Sequence, residues 1–164
     1  MLRKITKLFA SSNCKNWNLK VLIQRVKKGS VFVQKKLISE IGSGIVIFVG
    51  IYYDDSEDDV AKLYKKILNL RIFNNTSGKI HYNIIDTEGE ILLISQFTLC
   101  ANTEKGNRPS FKDAMNPTDA EKLFMNLKQK LDNNIKTKIG QFGAMMEISL
   151  INNGPMTIML DSRQ

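Results

Sequence analysis

The feature that most restricts the fold is the unbroken aliphatic run Ile91-Leu92-Leu93-Ile94, followed at once by Ser95-Gln96-Phe97-Thr98-Leu99. Four aliphatic residues in a row leave no polar face, so the run reads as a strand buried on both sides. Ser95, Gln96 and Thr98 are polar groups that a buried ladder does not need. Such side chains either hydrogen-bond inside a core or line a cleft, and the pattern by itself leaves both open.

The rest of the chain supplies the layers around that strand. Leu19 to Val26 alternates as a strand, Gly29-Ser30 reads as a turn, and Val31–Gln34 and Leu37–Ile41 read as two more strands. Ile45 to Ile51 is too apolar and β-branched for a surface strand and is expected at the centre of a sheet. Ser56-Glu57-Asp58-Asp59 suits a helix start, and Val60, Leu63, Tyr64, Ile67 and Leu68 follow at helical spacing. Lys62, Lys65 and Lys66 fall off that stripe, on a face that is solvated or that meets the phosphates of a polyanion. Arg71-Ile72-Phe73 reads as a short strand and residues 74–79 as a loop. Thr118-Asp119-Ala120-Glu121 is expected to cap a second helix whose stripe is Ala120, Leu123, Phe124, Leu127 and Leu131. Lys136–Ile139, Met146–Ile151 and Met156–Leu160 read as the last strands, with Gly154-Pro155 in the turn between the final two. The expectation is an α+β fold of mostly antiparallel or mixed sheets forming a barrel-like core with two main helices.

Residues 1–18 look like an extension to a single domain spanning residues 19–164. Leu2, Ile5, Leu8 and Phe9 share one helical face, and residues 1–20 carry five basic residues and no acid. That is the composition of an organellar transit peptide, or of a segment with no address. The expected location is the cytoplasm, with the mitochondrion or another organelle as the alternative. The other 144 residues carry 19 basic and 16 acidic groups, a mild excess that permits a polyanionic partner without requiring one.

Several chemistries drop out. No apolar run is long enough to span a membrane. A single histidine, His81, and two distant cysteines, Cys14 and Cys100, offer no metal-ligand cluster and no disulfide framework. Ser95 lacks a Gly-x-Ser-x-Gly elbow, and the only imidazole lies in what reads as a polar loop. Cys100 beside a strand reads as packing. Thr98 has no base within its own motif. With no side-chain nucleophile, backbone groups or the substrate must act, and a tight turn can aim the N–H groups of Phe97 and Thr98 at a developing oxyanion. The polar stretch from Cys100 to Phe111, with Lys105 and Arg108, is where a ligand-facing loop is expected.

Two stretches together carry a resemblance. Ser95-Gln96-Phe97-Thr98-Leu99 and Asn152-Asn153-Gly154-Pro155-Met156-Thr157 resemble the paired signature motifs of the D-aminoacyl-tRNA deacylase (D-tyrosyl-tRNA deacylase) family. Leu22-Ile23-Gln24-Arg25-Val26, Arg71-Ile72-Phe73 and Arg108-Pro109-Ser110-Phe111 fall in the family's order, so the similarity runs from about Leu19 to Leu160. A related enzyme that edits L-alanine from threonine tRNA has a Pro-Gln-type motif where this chain has Ser95-Gln96, which disfavours it.

The resemblance implies a homodimeric ester hydrolase that clears D-amino acids from tRNA, and glycine from alanine tRNA. Its partner is the 3′ end of an aminoacyl-tRNA, and it uses no cofactor and no metal. It implies catalysis at Ser95, Gln96, Phe97 and Thr98 with help from the tRNA 2′-hydroxyl. A cis Gly154-Pro155 from the partner subunit rejects L-substrates sterically, supported by Arg25, Asn152 and Thr157. Ala114, Phe142 and Met146 line the remaining space. The opposing expectation is a non-catalytic nucleic-acid-binding dimer of the same fold. Some family members carry a C-terminal tail linked to DNA binding, which a chain ending at Gln164 is expected to lack.

Overall fold

The computed structural model describes residues 18–163, so the helical face expected among residues 2–9 lies outside the described residues. A six-stranded mixed sheet and two helices make the body. The order of elements is β1 (Lys20–Val33), β2 (Lys36–Ile41), β3 (Gly44–Gly50), α1 (Glu57–Asn69), β4 (Phe73–Asn74), β5 (Ile80–Tyr82), β6 (Glu90–Ser95), a 3-10 turn (Phe97–Cys100), α2 (Pro117–Asp132), β7 (Thr137–Ile139) and β8 (Glu147–Asp161).

The aliphatic run of β6 sits where its composition puts it. It runs parallel between β3 and β7, and Ile91 to Ile94 are all buried. The strand order is β2-β1-β3-β6-β7, with β8 antiparallel along the other side of β1. The sheet curls until β2 approaches β7, where side chains rather than a backbone ladder bridge the gap. Ser39 Oγ donates to the Ile139 carbonyl at 2.8 Å and Lys138 Nζ donates to the Glu40 carbonyl. The result is a nearly closed barrel. One cluster, Val26, Val31, Ile41, Val46, Leu92 and Ile94, fills its interior. A second packs the opposite sheet face, through Ile23, Ile47 and Leu93, against Leu63 and Ile67 of α1 and Phe124 and Leu127 of α2.

Both helices turn the expected stripes inward, with Tyr64, Ala120 and Leu123 half-buried and the rest buried, and Lys62, Lys65 and Lys66 are exposed. Asp59 at the third position of α1 accepts from Ser56 N–H at 3.1 Å, which satisfies an otherwise orphaned donor at the helix start. For α2 the cap differs from expectation. Asn116, not Thr118, accepts the Asp119 N–H at 3.1 Å, and Pro117 takes the first turn, where a missing N–H costs nothing.

Four further expectations are corrected. Gly29-Ser30 is not a turn, because β1 runs through it. Gly29 is buried there, and a Cβ would stand 2.9 Å from Val46 Cγ2, so the glycine serves close packing across the barrel. The chain reverses instead at Gln34-Lys35, both at positive φ (50° and 65°), the twist that a two-residue hairpin requires. Residues 71–73 are not a strand of their own, since β4 covers only Phe73–Asn74 and pairs with β5. His81 therefore lies on a strand, although exposed as a loop residue would be. Finally, the last two expected strands are one, β8, and Gly154-Pro155 lies inside it rather than in a turn.

Candidate active site

The end of β6 turns sharply because β3 holds it. Gln96 N–H donates to the Val49 carbonyl at 2.7 Å, the last rung between the two strands, and residues 97–100 then wind into the 3-10 turn. The turn is closed by Leu99 N–H to the Gln96 carbonyl and Ala101 N–H to the Thr98 carbonyl, both 3.1 Å. The first N–H groups of a helical turn have no partner within it. Here those groups belong to Phe97 and Thr98, and neither bonds to a described residue. Both residues are exposed. The turn thus presents two adjacent backbone donors at the surface.

Three neighbours fix this turn, and the sequence reading missed all three. Gly50 ends β3 directly beneath it, where a Cβ would stand 2.7 Å from Leu99 Cβ and 3.3 Å from Cys100 Sγ. Tyr52, fully buried, donates its hydroxyl to the Leu99 carbonyl at 3.3 Å. Asp55 anchors Tyr52 in turn, accepting its N–H at 2.6 Å. A glycine closing an apolar strand signals close backbone approach, so Gly50 was findable. Nothing local marks Tyr52 or Asp55.

The side chains offer little chemistry of their own. Gln96 Nε2 donates to Thr98 Oγ1, so the hydroxyl meets an amide and no base. Burial pushes the Cys100 thiol up to about 12, which leaves no thiolate at neutral pH. Burial likewise pushes the Asp55 carboxyl up to about 7, but that group is occupied beneath the turn. Ser95 is half-buried at the strand end. The Phe97 ring, 58% exposed, meets Phe111 edge-on at 5.1 Å and 71°. Phe111 ends the polar loop, which Asn102 and Ser110 pinch shut with two backbone bonds of 2.8 and 2.9 Å. Lys105 and Arg108 project from it, exposed.

The second motif is built differently. Gln24 pairs with Thr157 and Val26 with Asn152, so residues 153–156 bow outward opposite the single residue Arg25. Arg25, 4% exposed, threads its guanidinium beneath the bow. Nε donates to the Asn153 carbonyl and Nη2 to the Gly154 carbonyl, both 3.0 Å, while Nη1 donates to the Ile72 carbonyl and to Asn74 Oδ1. Thr157 Oγ1 accepts from Gln24 Nε2 at 3.3 Å. The Gly154-Pro155 peptide is cis, and both residues are exposed.

Within one chain the two motifs are apart. β1 and β3 lie between β8 and β6, about 14 Å at the usual strand spacing. Through the pairings the bow is level with Ile45 and Ile91, whereas Ser95 is level with Val49, about 13 Å further along the strands. Of the three lining candidates, half-buried Ala114 bridges to Tyr52 beside the turn. Phe142 leans on Phe124 of α2 at 5.7 Å, and Met146 packs against the barrel interior, so these three are not gathered into one pocket. Among the described residues no group of three or more His, Cys, Asp or Glu is placed to hold a metal, and no helix is long and apolar enough to cross a membrane.

Comparison with known proteins agrees with this architecture. A family model described as D-Tyr-tRNA(Tyr) deacylase matches residues 22–161. The D-aminoacyl-tRNA deacylase of Aquifex aeolicus is 46% identical over 147 residues, covering 89% of this chain and 99% of the relative. That of Bacillus velezensis is 45% identical over 147 residues, covering 89% of this chain and all of the relative. Among solved structures, the c-Myc DNA unwinding element binding protein superposes with a TM-score of 0.82 at 39% identity, over 86% of this chain and 97% of its own. A probable eukaryotic D-amino acid tRNA deacylase superposes at 0.78 and 15% identity, over 88% of this chain and all of its own, which bears on fold alone. The paired motifs, the mixed barrel with its two helices and the similarity over most of the chain have one meaning: this chain belongs to the D-aminoacyl-tRNA deacylase family of hydrolases.

Proposed function

We propose that the protein works as a homodimer that hydrolyses the ester of D-aminoacyl-tRNA, and of glycine mischarged on alanine tRNA, and spares L-aminoacyl-tRNA. The observation that carries this reading is the separation of the two motifs within one chain. The 97–100 turn exposes donors and no chirality filter. The bow exposes Gly154-Pro155 far from the Phe97 and Thr98 N–H groups of its own subunit. Each supplies what the other lacks, so a second copy completes both sites. The open edge of β8, with Ile151 58% and Met159 52% exposed, supplies apolar surface for that contact.

In this reading the Phe97 and Thr98 N–H groups donate to the carbonyl oxygen as it becomes an oxyanion. A water oxygen bonds to the carbonyl carbon, assisted by the terminal 2′-hydroxyl. The bond from that carbon to the ribose 3′ oxygen breaks, and the proton lost by water ends on the 3′ oxygen. Free amino acid and tRNA leave, with no metal or cofactor. Phe97 is a ring on which the terminal adenine stacks. Arg25 fixes the carbonyls of the bow, so a rigid backbone holds the substrate's ammonium group and leaves no volume where an L side chain would project. Glycine has no side chain and passes.

The test is cleavage of matched D- and L-tyrosyl-tRNA. The D-substrate is hydrolysed and the L-substrate is not. Equal rates would sink the chirality filter. The name of one structural relative, a DNA unwinding element binding protein, favours a second reading as a non-catalytic nucleic-acid-binding dimer, and tRNA binding without cleavage of either substrate would select it.

A further inference from the structure

A polar cavity of about 360 Å³ opens at the far end of β6 from the 3-10 turn, lined by Lys27, Lys28, Lys136 and Lys138 with Glu40 and Glu90. We propose that this cavity holds the ribose-phosphate backbone of the substrate tRNA whose 3′ end lies in the partner's site, the one this subunit's Gly154-Pro155 completes. The inference rests on the deacylase reading above.

Position is the first argument. Val26 pairs with Gly44, Gly44 with Glu90, and Val26 also with Asn152. The cavity and the Gly154-Pro155 bow therefore share one end of the sheet, while residues 95–100 of the same chain occupy the other. Lys27 stands two residues from Arg25, about 7 Å along β1, and Arg25 carries the bow. A tRNA end capped by the bow thus brings its neighbouring phosphates to these lysines.

Charge is the second argument. Beyond residue 20 the chain carries only three more basic than acidic groups. The four lysines and two glutamates of this one cavity account for two of those three charges. The ion pairs within it are Lys28–Glu40 at 2.9 Å, Lys136–Glu90 at 2.5 Å and Lys138–Glu90 at 3.9 Å. Lys28, Lys136 and Glu40 keep about half or more of their side chains in solvent. Exposed pairs of this kind contribute little, so a phosphate displaces them at small cost. Lys27 makes no ion pair with a described residue.

The experiment compares wild type with the double variant Lys27→Ala, Lys136→Ala on whole D-tyrosyl-tRNA and on its 3′-terminal CCA fragment carrying D-tyrosine. At 50 mM salt the variant loses about tenfold in kcat/KM on whole tRNA. Its plot of log kcat/KM against log salt is shallower by roughly 1.4–1.8, the loss of two phosphate contacts. On the fragment it changes less than twofold. Arginine at both positions restores whole-tRNA cleavage. An unchanged salt slope, or an equal loss on the fragment, would overturn the inference and leave the deacylase reading standing. If wild type cleaves neither substrate, the deacylase reading fails. Binding of uncharged tRNA, followed by fluorescence anisotropy, then decides the cavity alone: weaker and less salt-dependent in the variant supports it, unchanged refutes it.

Discussion

The 97–100 turn ends a strand and the 153–156 bow interrupts one, and the two are held in opposite ways. The turn is clamped from below by Val49, Gly50 and Tyr52 and leaves N–H donors open. The bow is held from one side by a single guanidinium that takes its carbonyls. A region fastened by many short contacts tolerates no added volume. A region fastened by one multidentate group tolerates volume but not the loss of that group. The difference predicts distinct failures for the two halves of the proposed site.

The harshest break is expected in the turn. Gly50→Ala puts a methyl 2.7 Å from Leu99 Cβ and must push the turn outward. Displacing a catalytic group by about 1 Å costs roughly a hundredfold. The expected result is a folded protein whose kcat falls by that order on D-tyrosyl-tRNA. Full activity would mean that the Phe97 and Thr98 donors do not act on the substrate.

Arg25→Lys tests the bow. An ammonium cannot span the Ile72, Asn153 and Asn74 acceptors together with Gly154 as the planar fork does. The preference for D- over L-tyrosyl-tRNA is expected to drop on the order of tenfold, while the turn keeps its chemistry and D-cleavage falls less. A loss of D-cleavage with selectivity intact would place Arg25 in stability rather than in the filter.

These two substitutions mark how far the sequence could be read. The buried strand of β6 and both helical stripes follow from local periodicity, which short-range sterics enforce, whereas the motif residues were legible only through their resemblance to a known family. The continuity of β8 does not. Gly-Pro punctuates a turn in most strands, and only Arg25, 128 residues away from Asn153 in sequence, carries the strand across the bow. Gly29 misled for a related reason. Its neighbour is Val46 across the barrel, a contact with no local signature. The distance between the motifs within one chain became visible only once the strand order was known.

Thr98→Ala is a milder probe of the turn. Alanine keeps the N–H and loses a hydroxyl that meets only the Gln96 amide. About tenfold or less in kcat is expected, against 10⁴–10⁶ for a lost nucleophile. A substrate with a 2′-deoxy terminal adenosine should be poor with wild type. A dead Thr98→Ala with an unaffected deoxy substrate would overturn the mechanism and leave the family intact.

The smallest effect lies beneath the turn. Burial raises the Asp55 carboxyl to about 7, with Asp54 and Asp59 adding like charge and Arg163 3.9 Å away opposing it. A carboxyl that holds its proton more tightly when folded gives stability that is complete below the unfolded value near 4 and lost as pH rises through 7. Asp55→Asn should therefore gain on wild type in thermal melts between pH 5 and 8, by more at each higher pH. A parallel pair of melting curves would show that Asp55 stays ionised in the fold.

The side-chain closure between β2 and β7 has one more consequence. A ladder of amides would make the barrel a continuous hoop, whereas two side-chain bonds make it a clasp. Strain reaching the barrel is relieved first at that clasp. β3 and β6, flanked by partners on both sides, keep their deuterium-exchange protection longest. The clasp has the cavity lysine Lys138 as one of its two bonds, so an opening of the hoop would be felt at the polyanion face before it reached the turn.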